Sequence, residues 1–137
     1  MKLTENFTLE ELTRTSVRQY SNEPPMDAKA YLLELCLLIL QPIRNKWGKP
    51  ITVTSGYRSE AVNKAVGGVK TSQHVQGQAA DIKTDCRANN KALFELIVKM
   101  VKDNKIKVGQ LIDEKDYSWI HVSLPNYKHK NEILHLK

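Results

Sequence analysis

Residues 72–81 read SQHVQGQAAD, and this stretch carries two ligand-capable side chains, His74 and Asp81. Gly77 and two small alanines let the chain fold tightly between them. The alanines open a predicted strand from Ala79 to Ile82. A rigid strand that follows a tight turn would hold both side chains in fixed directions, which favours a functional site here.

Two further segments place polar groups in or beside predicted strands: SGYRS at residues 55–59 and WIHVS at residues 119–123. The β-branched residues at 51–54 predict a strand ahead of the first segment. Alternation along a strand puts Ile120 and Val122 on one face and His121 on the other. We expect Ile120 and Val122 to face the core and His121 to face a cleft.

Two short helices are predicted from their start signals. The sequence TLEE at residues 8–11 has the form of a capping box and predicts a helix from Thr8 to about Thr15. Ser59 is predicted to cap a brief helix through Ala65, which Gly67 and Gly68 end.

A long helix is predicted to start with Asp27 as its cap, to kink at Pro42 and to end at Gly48. Apolar residues at three- and four-residue spacing give it a core-facing stripe. The stripe comprises Tyr31, Leu32, Leu35, Cys36, Ile39 and Ile43.

The second half of the chain predicts a helix from Asn89 to Lys102, with Leu93, Phe94, Ile97, Val98 and Val101 facing inward. It also predicts a pair of strands, Val108 to Ile112 and Trp119 to Leu124, joined by a polar turn. Helices come first and a small sheet with helices between its strands follows, so the predicted fold class is α+β.

The length and composition indicate one globular domain over residues 1–137, and we expect a monomer. The net charge of +6 attracts polyanions. Specific nucleic-acid recognition is not supported, because no basic helix or aromatic-rich sheet motif is present. A wall polymer with carboxylates and phosphates fits the charge equally well.

Cys36 and Cys86 lie in unlike surroundings and are predicted to be free thiols. The chain opens with polar residues instead of an apolar signal region. Its longest apolar stretch, Leu35 to Leu40, is far too short for a membrane span. We therefore expect synthesis in the cytoplasm and delivery to an external substrate by another route.

A catalytic zinc site needs three nitrogen or oxygen ligands from the protein and one open position. His74, Asp81 and His121 supply such a set. Each has an ordinary alternative, because a lone histidine is usually a surface or hydrogen-bonded residue and a lone aspartate usually caps a turn. Spacing alone leaves the choice open.

The ordered segments SGYRS, SxHxxGxAxD at residues 72–81 and WxH at residues 119–121 resemble one family of zinc peptidases. That family holds the D-Ala-D-Ala carboxypeptidases and the L-alanyl-D-glutamate endopeptidases of phage lysins, and hedgehog-type domains share its fold. The resemblance implies a small antiparallel sheet with flanking helices, Zn²⁺ as the cofactor, and His74, Asp81 and His121 as its ligands.

The same resemblance implies that Arg58 binds the substrate carbonyl or carboxylate and supports the developing oxyanion. An ion pair with Glu60 is the ordinary alternative. The general base is predicted to be Glu114, and Asp113 and Asp116 compete for that role. Some relatives carry the base three positions before the last ligand, where this chain has Ser118.

Ser72 and Gln73 are candidates to bind substrate or to orient the metal ligands, although a turn serine would look the same. His129 and His135 lie in a Lys-rich tail without ligand spacing to the other histidines. Both are predicted to be solvated surface residues.

The predicted function is hydrolysis of peptidoglycan stem peptides by a zinc peptidase, either a carboxypeptidase or an endopeptidase. The lack of a signal region favours a phage or prophage lysin that is released through a holin. The alternative is a non-catalytic zinc-binding module of the same fold.

Overall fold

The computed structural model describes residues 1–137, which combine helices with a five-stranded sheet. The strands are β1 (Lys2–Thr4), β2 (Phe7–Thr8), β3 (Thr52–Ser55), β4 (Ala79–Lys83), β5 (Gln110–Glu114), β6 (Trp119–Ser123) and β7 (Glu132–Leu136). The α-helices are α1 (Leu9–Thr13), α2 (Met26–Leu35), α3 (Gln41–Trp47), α4 (Glu60–Ala65) and α5 (Arg87–Lys102). A π-helical turn, Cys36–Leu40, joins α2 to α3, and a 3₁₀ turn spans Gln73–Gln76.

The main sheet has the strand order β3-β4-β6-β5-β7, while β1 and β2 form a separate small hairpin. The first four strands of the main sheet pair antiparallel, which confirms the predicted α+β class with its small antiparallel sheet. The edge strand β7 pairs parallel with β5. This strand lies in the tail that the sequence analysis left without structure.

One face of the main sheet contributes to a core of 25 buried residues. Ile120 and Val122 are fully buried there, as the strand alternation predicted, and they join apolar residues of α5 and of the long helix. The opposite face of β4 and β6 presents Asp81 and His121, which are paired across the two strands. The core thus fixes the strands and leaves one face free for a site.

The long helix differs from its prediction at its start and in its stripe. It begins at Met26 after Pro25, so Asp27 lies in the first turn and is not the cap. Tyr31 is 39% exposed and lies off the buried stripe. Pro42 lacks the amide hydrogen that a helical hydrogen bond needs, yet the helical backbone continues through it. A π-helical turn immediately precedes it and joins α2 to α3. Gly48 ends α3 with a left-handed φ of 74°, as predicted.

The start signals of the short helices are confirmed: Thr8 forms the capping box of α1 with Glu11, and Ser59 caps α4. Helix α1 ends at Thr13, α5 begins at Arg87, and Val98 is only partly buried. Strand β5 begins at Gln110 instead of Val108, because the side chain of Asn131 accepts a hydrogen bond from the Val108 amide ahead of the strand.

Cys36 is buried and Cys86 is exposed, and both are free thiols, as predicted. Burial raises the pKa of Cys36 to about 12, which makes that thiol unreactive. None of the helices is both long and apolar enough to cross a membrane.

Candidate active site

His74, Asp81 and His121 come together on the open face of the sheet, although 47 positions separate the first from the last. One ligand atom from each lies within 4.8 Å of the other two. Nδ1 of His121 lies 3.0 Å from Oδ1 of Asp81, and Nε2 of His74 lies 3.4 Å from the same oxygen. The sheet register puts Asp81 directly beside His121, and the 3₁₀ turn brings His74 to them.

Hydrogen bonds hold both the buried ring and the backbone of His74 in place. Its Nδ1 lies 2.8 Å from the carbonyl oxygen of Gly56, so Nδ1 donates to that oxygen and Nε2 remains free to bind a metal. The Ser72 hydroxyl accepts a bond from the His74 amide, and the Arg58 amide donates to the His74 carbonyl. The ring is therefore fixed in position and in tautomer.

The Asp81 carboxylate is strongly held in its ionised form. Burial opposes ionisation, but the contacts with the His121 and His74 imidazoles outweigh it and keep the pKa of Asp81 well below its usual range. An ionised carboxylate beside two imidazoles is the donor set that zinc prefers.

The spacing of these atoms fits a zinc ion. Four ligands at zinc distances in a tetrahedron lie about 3.3 Å from one another. The distances of 3.0 and 3.4 Å from Asp81 to the two imidazoles agree with that value. The three side chains line an open cleft of about 1220 Å³, so an ion held by them would leave room for water or substrate. The arrangement suits a catalytic zinc better than a closed structural one.

Arg58 reaches the same cleft from the loop after β3. Its Nη2 lies 3.5 Å from the Ser72 hydroxyl, and its buried Nε has no hydrogen-bond partner. Burial lowers the pKa of Arg58, while the charges of Asp81 and Glu114 partly offset that effect. No ion pair with Glu60 forms, so the guanidinium is left free for a ligand in the cleft.

Glu114 is the candidate base that the cleft contains. It ends β5 and lines the cleft, and one of its oxygens accepts a hydrogen bond of 3.0 Å from the Trp119 indole. Asp113 is buried away from the cleft, where it binds the Tyr117 amide and the His135 ring. Asp116 lies outside the cleft in the turn after β5. The geometry therefore favours Glu114 over its two competitors.

Comparisons with known proteins agree with this geometry. A family model described as Peptidase M15 matches residues 5–123. The chain belongs to the peptidase M15 family. A zinc D-Ala-D-Ala carboxypeptidase of Streptomyces albus G is 40% identical over 79 residues, which are 56% of this chain and 31% of that protein. The chain thus matches less than a third of this relative's length. The predicted resemblance to zinc peptidases is confirmed, and the roles of individual residues stay predictions.

Ser72 and Gln73, which were predicted with Arg58 as substrate-binding residues, also line the cleft of this M15 chain. Gln73 is anchored through its side-chain amide, which donates to the Leu124 carbonyl at 2.9 Å and to the Gln78 side chain at 3.3 Å. Ser72 accepts from the His74 amide and contacts Arg58. These hydrogen bonds hold the turn that carries the candidate metal ligand His74 in place.

His135 is exposed, as predicted, whereas His129 is partly buried, and both rings pair with a carboxylate. His129 lines the cleft and its Nδ1 lies 2.6 Å from Glu132, whereas His135 binds the buried Asp113 at 2.8 Å. Strand β7 pairs with β5, which brings the segment before it to the cleft. No sequence signal indicated this, because the tail lacks clear alternation and is rich in lysine. The cleft residues Tyr127 and Lys128 were missed for the same reason, and Lys70 was missed in the loop after α4.

Proposed function

We propose that this M15 protein is a zinc-dependent peptidase that hydrolyses amide bonds in peptidoglycan stem peptides. The observation that carries the proposal is the presence, in one open cleft, of three convergent zinc ligands, a free arginine and a carboxylate. Zinc is the cofactor that the ligand set, the family and the zinc-dependent relative agree on. The relative's D-Ala-D-Ala activity supports a wall peptide as the substrate.

His74, Asp81 and His121 would hold the zinc ion, which when bound makes water a nucleophile near neutral pH and polarises the scissile carbonyl. Glu114 would accept the proton of the attacking water on the oxygen that Trp119 leaves free, and would pass it to the leaving amine. Arg58 would bind a substrate carboxylate or the oxygen on which negative charge develops. Its unpaired Nε makes it available for that contact.

We propose an endopeptidase rather than a carboxypeptidase. The cleft, at about 1220 Å³, exceeds the range of about 300–1,000 Å³ that is typical of pockets for drug-sized ligands. A carboxypeptidase needs room for only the end of a chain, whereas an endopeptidase holds residues on both sides of the bond. Action as a phage or prophage lysin, with release through a holin, is the corresponding prediction for its localisation.

A non-catalytic zinc module is the second candidate, and Ser118 is the observation in its favour. This residue stands where some relatives carry the base, and its hydroxyl is bonded to the Lys115 carbonyl. Glu114 offers a carboxylate in the cleft in its place.

Mass spectrometry of purified cell walls after digestion with the zinc-loaded protein tests the proposal. An endopeptidase releases fragments of two or more residues with new amine ends, whereas a carboxypeptidase releases single D-Ala residues. Glu114→Gln, with zinc still bound, should release neither. If the wild-type protein with a full zinc complement leaves walls of every chemotype intact, the non-catalytic module is the better account.

A further inference from the structure

The cleft carries an excess of unpaired positive charge. Four cationic side chains line it, Arg58, Lys70, Lys115 and Lys128, against two carboxylates, Asp81 and Glu114. None of the four cations forms a salt bridge within the chain. A bound zinc ion would add further positive charge. The cleft therefore attracts anions.

Neither carboxylate of the cleft forms a salt bridge with these cations. Asp81 is bonded to the two imidazoles, and Glu114 accepts from the Trp119 indole. Lys115 lies over the Trp119 ring, 5.5 Å from its centroid. It is therefore held beside the indole that donates to Glu114. Lys70 and Lys128 remain as exposed charges on two separate loops.

These two loops, the rim loops, comprise residues 66–71 and residues 126–129. Each is anchored by an asparagine. The buried Asn63 accepts from the Gly68 amide through its backbone and donates its side-chain amide to the Val69 carbonyl, both at 2.9 Å. The Asn126 side chain accepts from the amides of Lys128 and His129 at 2.8 and 2.7 Å. The backbone beneath each lysine is thus fixed, and only the long side chains need to be ordered by a ligand.

We propose that Lys70 and Lys128 form a second anion subsite, which selects acidic peptides by a carboxylate remote from the bond that is cut. The inference rests on the proposed function and adds a specificity determinant to it. A lysine ammonium acts as a compact charge with free donor directions, which suits a carboxylate on a flexible peptide. The two lysines line the same cleft as the three candidate metal ligands, so one bound peptide can contact both groups.

Two synthetic stem peptides that differ only in one carboxylate, free in one and amidated in the other, test the subsite. The carboxylate lies two or more residues from the scissile bond, and a pair is made for each side of that bond. We expect the zinc-loaded wild type to favour the free acid of one pair by roughly three- to tenfold in kcat/KM, through KM. The preference should shrink at high salt, because exposed charges are screened.

The double variant Lys70→Gln/Lys128→Gln should lose this preference. Lys102→Gln, a matched change on an exposed lysine of α5 outside the cleft, should keep it. An unchanged preference in the double variant, or equal rates for both members of each pair in the wild type, would overturn the subsite.

Calorimetric binding of the same peptides separates this inference from the proposed function. Tighter binding of the free acid by the wild type, lost in the double variant, supports the subsite even if neither peptide is hydrolysed. Absence of hydrolysis would then count against the peptidase alone. Equal binding of the acid and the amide by the wild type would refute the subsite, whatever the turnover.

Discussion

Asp81 links the two histidines of the candidate metal centre. Its Oδ1 lies 3.0 Å from His121 and 3.4 Å from His74, and its pKa is held low by those contacts against the effect of burial. A partly buried carboxylate between two imidazoles is costly to keep unless cations or a metal compensate its charge. The site is therefore built for a cation, and single substitutions within it should act first on metal binding.

Replacement of either histidine should release zinc. His74→Ala or His121→Ala leaves two ligands, too few for a stable site, and elemental analysis after dialysis should find much less than one zinc per chain. His135→Ala is the matched control, because that ring binds Asp113 away from the cleft and should leave the zinc content unchanged. Full zinc content in both of the first two variants would refute the ligand assignment.

Arg58 should matter for turnover and not for metal. Arg58→Ala removes a charge aimed into the cleft, and we expect a loss on the order of a hundredfold in turnover with zinc still bound. Arg58→Lys should rescue only part, because lysine cannot bind two oxygens in a fixed fork. Steady-state rates with a wall peptide measure the effect, and Arg87→Ala on the exposed start of α5 serves as the control. Unchanged turnover in Arg58→Ala would reduce Arg58 to a structural residue.

Strand β5 separates two neighbouring carboxylates by its alternation. Glu114 faces the cleft, whereas Asp113 lies on the other face, where it holds the Tyr117 amide and the His135 ring of β7. Strand β5 thus carries both the candidate general base and a structural carboxylate. The positions of Asp113 and Glu114 in the sequence could not show which one lies in the cleft. The sheet places the two side chains on opposite faces, and only Glu114 faces the cleft.

Amide variants at Glu114 and Asp113 should affect different properties, hydrolysis in the first case and stability in the second. Glu114→Gln should keep the fold and the zinc but lower hydrolysis by roughly a hundredfold to ten-thousandfold. Asp113→Asn should cost about 1–3 kcal/mol of unfolding free energy, because buried charge-assisted bonds are lost, while the zinc-loaded enzyme keeps its activity. Urea unfolding and rates on isolated walls give the two readouts. A selective loss of hydrolysis in Asp113→Asn would mean that the base is assigned to the wrong residue.

The 3₁₀ turn that carries His74 depends on Gly77. This glycine has a left-handed φ of 78°, and a Cβ there would lie 2.5 Å from the Ala28 carbonyl oxygen of α2. Gly67 has a similar φ of 76°, but a Cβ there would meet open space. The two positions therefore separate backbone strain from a steric clash.

Alanine at these two glycines should differ in its effect. Gly67→Ala should cost about 1–2 kcal/mol from left-handed strain alone. Gly77→Ala should cost more and should also weaken zinc binding, since the turn must move away from α2 and takes His74 with it. Urea denaturation and zinc titration measure both effects. Equal losses of stability, with zinc affinity unchanged, would show that the packing of this turn does not position His74.

Across the whole chain, the sequence predicted those features that depend on residues close together in the sequence, such as helix caps and the faces of strands. The capping box at Thr8, the cap at Ser59 and the faces of Ile120 and Val122 follow from nearest neighbours, and the three polar segments indicated the site. Strand β7 did not follow, because its parallel pairing with β5 joins distant segments and its residues show no buried alternation. The rim loops were missed with it, since they line one cleft only once the sheet is assembled.

Hydrolysis of isolated cell walls, measured as zinc is added back to chelator-treated protein, distinguishes a zinc peptidase from a zinc-binding module. We expect no amine release without metal, a rise that reaches its plateau at about one zinc per chain, and no rise in His121→Ala at the same zinc concentrations. Full hydrolysis by the metal-free protein, or none at one bound zinc per chain, would refute the zinc peptidase.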